Sequence, residues 1–138
     1  MRILMMFALG LGACLEGCPW PPLAPCPERT GGALISFEVA GDEIDLWITN
    51  DAFIDTAIGL LGEGPSRVPN FLEIVAGTDC DERWSWHVDP QQVEWADFTI
   101  ELCDGTPSYI EAHRDAWIQD VGQWCPWSAA VMSVDDRR

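Results

Sequence analysis

The stretch Arg83 to Gly105, RWSWHVDPQQVEWADFTIELCDG, constrains this chain most. It carries three of the eight tryptophans, one of the two histidines and one of the six cysteines. Trp84, Trp86 and Val88 alternate with Arg83, Ser85 and His87, the period of a strand. Asp89-Pro90 stops that strand, and Gln91 to Ala96 is a short connection, one helical turn at most. Phe98, Ile100 and Leu102 then alternate with Thr99, Glu101 and Cys103 in a further strand, ended by Asp104-Gly105. Strands this rich in apolar area are expected at the buried centre of a sheet, and that sheet needs cover.

The rest of the chain supplies it. Ile35, Phe37 and Val39, a Gly41-Asp42 turn, and then Ile44, Leu46 and Ile48 read as a hairpin with one apolar face. Asn50 or Asp51 caps a helix whose Phe53, Ile54, Ala57, Ile58 and Leu61 form one stripe, closed by Gly62. Gly64 to Asn70 is a loop with two prolines, and Phe71 to Ala76 a strand. Ser108 and Glu111 have the spacing of a capping box. They open a second helix with the stripe Ile110, His113, Trp117 and Val121, closed by Gly122. Ala129 to Val134 is the last strand. The order ββαβββαβ predicts an α+β fold, a mainly antiparallel sheet of five to six strands with two helices packed on one face. One domain is expected over residues 33–134, with 135–138 a free tail.

The N-terminus reads as an address. Arg2 precedes a short apolar run too short to span a bilayer, which takes about 20 residues. The run ends in Leu11-Gly12-Ala13-Cys14, a bacterial lipobox. Residues 1–13 are the expected signal peptide and Cys14 the expected lipidation site, with an ordinary signal peptide the alternative. Leu15 after the cysteine fits passage to an outer membrane. Residues 14–32 form a tether, stiffened by five prolines between Pro19 and Pro27. The expected location is the cell envelope, on a lipid anchor, or outside the cell.

Six cysteines in an exported chain imply disulfides. Cys103 and Cys125 are the expected pair, brought together by a strand-helix return. Cys18 with Cys26 is the next, leaving Cys80. The rival ties Cys80 to the tether through Cys18 or Cys26. The net charge is −16, with seven arginines, no lysine and 23 acids. Such a surface excludes nucleic-acid phosphates as partners.

Chemistry is thinly signalled. His87, Asp89 and Glu101 are candidates for an acid/base hydrolase site, and His87, Asp89 and Asp104 for a divalent cation. The bland reading is a histidine that hydrogen-bonds Glu101 or a carbonyl and shapes its turn. Asp79, Asp81 and Glu82 lack the glycine and terminal glutamate of a calcium loop and read as a solvated turn. His113 reads as a satisfied core histidine. No resident cofactor is signalled beyond that divalent cation. Trp47, Trp124 and Trp127 are the indoles expected to be partly exposed, where a sugar ring could stack. Nucleophile elbows, zincin motifs and phosphate loops are missing.

Three blocks carry a resemblance: Trp84-Ser85-Trp86-His87 with Asp89-Pro90, then Thr99 to Gly105 with Pro107-Ser108, then Trp124-Cys125-Pro126-Trp127. In this order, over about Leu34 to Val134, the chain resembles the small N-terminal domain of amoebal prespore surface glycoproteins. The resemblance implies an extracellular domain with paired cysteines and implies no particular activity. The expected function is a binding module for a protein or glycan partner at the cell surface. A small hydrolase at His87, Asp89 and Glu101 is the alternative. An enzyme inhibitor presenting the Gly62 to Asn70 loop is the second.

Overall fold

In the computed structural model, which describes residues 23–138, the alternation at 33–48 forms a hairpin. β1 (Ala33–Val39) buries every second residue. It pairs antiparallel with β2 (Asp42–Ile48), from Ala33↔Ile48 to Val39↔Asp42. The two residues between them, Ala40 and Gly41, both have positive φ, 50° and 97°. That mirror-image turn matches the twist of the strands it joins. The last strand, Ala129–Asp136, lies along the other side of β1. A bulge at Ser36/Phe37 leaves Met132 without a partner and exposed.

The single five- to six-stranded sheet does not form; there are three small sheets. The Gly64 to Asn70 loop contains strand β3 (Val68–Asn70), and the expected connection 91–96 contains the strand Glu94–Ala96, its partner. β4 (Leu72–Ala76) lies between β5 (Trp86–Val88) on one side and Gln123–Trp124 on the other. Numbering continues in chain order, with β6 for Glu94–Ala96, β7 for Gln123–Trp124 and β8 for Ala129–Asp136. The split has a local cause. Pro69 gives β3 no central amide, and Phe71, with φ 55°, kinks the chain between β3 and β4. The two strands therefore take different partners.

Helix α1 (Asp51–Gly59) starts where Asn50 accepts a hydrogen bond from the Phe53 amide at 3.0 Å. Its inward side is narrower than the stripe predicted. Phe53, Ile54 and Ala57 are buried, whereas Ile58 and Leu61 are exposed. Phe53 stacks on Trp95, ring centroids 4.6 Å apart, and the Trp95 indole donates to the Phe53 carbonyl.

The second helix is not one rod. α2 (Pro107–Ala112) is capped by Thr106, which accepts from the Tyr109 amide at 3.2 Å. The Ser108/Glu111 box does not form, because Glu111 instead accepts from the Ser85 amide of the neighbouring segment. The helix breaks at His113 (φ −127°, ψ 26°). One turn, Arg114–Ala116, and a wider π turn, Trp117–Val121, follow, and Gly122 closes them in the left-handed region. Ile110 and Trp117 keep their places in the core. His113 leaves it at the break. It is exposed, its Nδ1 hydrogen-bonds the Tyr109 carbonyl, and its ring lies against Tyr109, 4.3 Å between centroids.

One apolar core joins the sheets, with Trp86 and Trp124 edge-to-face at 5.2 Å between centroids near its middle. Truncating either indole to alanine should cost about 3–5 kcal/mol. The tail is not free either. Asp136 pairs with Ala33, Arg137 exchanges backbone hydrogen bonds with Gly31 and Gly32, and Arg138 reaches Asp51 and Asp55. No helix among the described residues is long and apolar enough to cross a membrane.

Candidate functional site

The residues proposed for acid/base or metal chemistry are not gathered into a site. His87 lies mid-strand in β5, and its Nδ1 hydrogen-bonds the Gly77 carbonyl at 2.6 Å. Asp89 caps the turn that follows, accepting from the Gln91 and Gln92 amides. Glu101 is exposed on a separate 3-10 turn, Glu101–Cys103. Asp104 accepts from the Trp127 amide at 3.0 Å. Among the described residues no three His, Cys, Asp or Glu side chains are grouped so as to hold a metal.

The acidic turn at 79–82 is a joint, not a solvated loop. Arg29 forks onto both oxygens of Asp79. Burial alone would raise the Asp79 carboxyl, but this guanidinium holds it below the usual carboxylate range. Asp81 is 7% exposed and accepts from the Asp45 and Arg83 amides and the Arg83 guanidinium. Burial pushes it up as well, and those donors outweigh burial. Cys80, between them, is bonded to Cys26. This replaces the Cys18–Cys26 pairing and makes the tether cysteine at 26 the partner of the domain. Cys14, Cys18 and the expected signal peptide lie outside the described residues.

The same joint closes over Trp47. That indole is 6% exposed, not the open platform expected. Arg29 and Arg137 lie over its ring, 5.9 and 5.7 Å from the centroid. Gly32 sits so close that a Cβ there would meet the Ile48 carbonyl at 2.5 Å. Trp124 is fully buried and donates to the Gly105 carbonyl. Trp84, expected in the core, is half-buried, with its indole bonded to the Glu43 carbonyl. Only Trp127 of the three sugar-stacking candidates is exposed, at 40%.

What the fold does present is the segment read as a buried strand. Residues 98–102 pair with no strand. The chain runs on from β6 as a loop and turns at Glu101–Cys103, so that Cys103 bonds Cys125. The alternation is turned inside out. Cys103 is buried, while Phe98, Ile100 and Leu102 are 80%, 66% and 72% exposed. A one-residue choice of face moves every second side chain from core to solvent. The loop is nevertheless fastened. Thr99 bonds Asn70, Cys125 donates its amide to Cys103, and Trp127 donates its amide to Asp104.

Beside it stands Phe71, 46% exposed and with the positive φ that separates β3 from β4. Such a backbone costs of order 1–3 kcal/mol for a bulky residue, and it is tolerated where the surroundings enforce it. Phe71, Ile100, Leu102 and Val121 line a depression of about 260 Å³ over the Cys103–Cys125 bond. Phe71, Val121 and Gln123 also border a more polar groove with Gln91, Gln92, Glu73 and Glu94. The two form one surface, apolar at one end and carboxamide-rich at the other.

Sequence reasoning missed this surface because period two does not say which face is wet. One signal was available: Asp97, Glu101 and Asp104 interrupt the apolar positions, and a doubly buried strand does not carry three acids. Phe71 gave no signal. Comparison with protein-family models matches residues 33–137 to the prespore glycoprotein-like N-terminal domain. No curated protein and no solved structure matches the chain.

Proposed function

The chain belongs to the prespore glycoprotein-like N-terminal domain family, and from that premise we propose that it is an exported protein, lipid-anchored through Cys14. Its disulfide-bonded domain works by binding a protein partner at the cell surface. The observation that carries the binding reading is the outward display of Phe98, Ile100 and Leu102 beside Phe71. Large apolar side chains gathered on an exposed patch mark interaction sites. Here the backbone that bears them is fixed by a disulfide, so little ordering entropy is lost on docking. Two disulfides, at sequence separations of 54 and 22, fit an oxidising compartment. A glycan partner is less well supported, since Trp47 and Trp124 are inside.

Two measurements test this. Metabolic labelling with palmitate should mark the full chain and fail on Cys14→Ser; equal labelling would remove the anchor. A photo-crosslinking residue placed at Leu102 should give a discrete adduct on the cell surface, with none from the exposed control position Glu63. Equal adducts at both positions, or none at either, would sink the binding reading.

A further inference from the structure

We infer that the partner segment seated on the Phe71–Leu102 surface is a basic amphipathic one, with lysines or arginines interleaved among two or three apolar anchors. The inference rests on the binding reading above and adds the charge of the ligand. Its ground is how the domain distributes its few cations. Each of the six described arginines already faces a carboxylate: Arg29 with Asp79, Arg67 with Asp97, Arg83 with Asp81, Arg114 with Asp115, Arg137 with Asp135, and Arg138 with Asp55. There is no lysine. Around the apolar surface, Glu101, Glu73 and Glu94 have no cationic partner among the described residues. Glu101 sits between the two anchors Ile100 and Leu102, and Glu73 and Glu94 line the groove on the far side of Phe71.

An apolar patch set among uncompensated carboxylates selects its occupant. Apolar area gives affinity that does not depend on sign, while the carboxylates favour cations and repel anions. A second copy of this chain is disfavoured, because two-fold association would set the same acids against each other. An anionic membrane surface is disfavoured for the same reason. A basic amphipathic segment satisfies both halves of the surface at once.

The test is selection of a random displayed peptide library on the full chain with both disulfides formed. Leu102→Asp and Ile100→Asp are the counter-targets, each first shown to melt like the parent. The expected pool is net positive, carries Leu, Ile, Phe or Trp between its bases, and is not held by either counter-target. Its binding should weaken about tenfold in the triple variant Glu73→Gln, Glu94→Gln, Glu101→Gln, and fall comparably with added salt. A neutral or acidic pool that still needs Leu102 overturns the charge inference and leaves the binding reading standing. So does a pool indifferent to the triple variant. No enrichment, or enrichment blind to Leu102→Asp and Ile100→Asp, overturns both. Leu102-dependent self-association, or Leu102-dependent binding to phosphatidylglycerol vesicles, assigns the surface another occupant and overturns the inference.

Discussion

Two disulfide-fastened regions of this domain use the same ingredients to opposite ends. At the joint of Cys26 with Cys80, acids, arginines and a tryptophan close on one another. Asp79 and Asp81 are paired, and Trp47 is covered by Arg29 and Arg137. At the bond of Cys103 with Cys125, acids and large apolar side chains stand side by side and remain open. The difference is the supply of cations. Where a guanidinium is present, it neutralises the carboxylates and roofs the indole with its planar face. Where none is within reach, charge and apolar area stay on display. In an acid-rich chain, the few arginines thus decide which surface is structure and which is left for a partner.

This contrast can be broken first at its sulfurs. Replacing Cys26 and Cys80 by serine should cost about 4 kcal/mol by the chain-entropy estimate, and replacing Cys103 and Cys125 about 3 kcal/mol. Urea unfolding reads both. The first pair should leave crosslinking from Leu102 intact and the second should abolish it. If the two losses are interchangeable in binding, the division of labour is wrong.

Gly32→Ala tests the closed region alone. A Cβ 2.5 Å from the Ile48 carbonyl and 2.7 Å from the Trp47 ring should destabilise by about 1–3 kcal/mol. The fluorescence of Trp47 should also shift towards that of a wet indole.

Acid sharpens the same point. Asp79 and Asp81 are held below their ordinary values in the folded state. Their contribution is therefore complete above the unfolded carboxylate range near pH 4, and it drains away as pH falls through the folded values beneath it. Thermal melts should fall over that window, and Asp81→Asn should flatten the fall. A chain equally stable across it would show that the arginine pairs are idle.

The smallest stability effect belongs to the open region. Leu102→Asp and Ile100→Asp should change unfolding by no more than about 0.5 kcal/mol, as for ordinary surface positions, while removing surface adducts. A large destabilisation would mean those side chains are packed after all.

Some of this was legible from residue order. The β1–β2 hairpin follows from strict alternation and its glycine turn, and the start of α1 from the short polar side chain at Asn50. Those are contacts within a few residues, and local spacing encodes them. The break at His113 was not legible, because the stripe Ile110, His113, Trp117 continues smoothly on paper. Neither was the turning of Glu111 from its own helix cap to the Ser85 amide 26 residues away.

By itself the sequence determined the local elements, the family and the excess of acid. It named Cys103, Cys125, Trp47 and the segment 98–102 as residues that matter, without saying which way they face. Only the tertiary structure decided that Trp47 closes and Leu102 opens, that Cys26 serves Cys80, and that three sheets stand where one was drawn. The physical reason is that alternation fixes which side chains share a face. Which face meets the core depends on partners far along the chain, on a kink at Phe71 and on where each arginine lands.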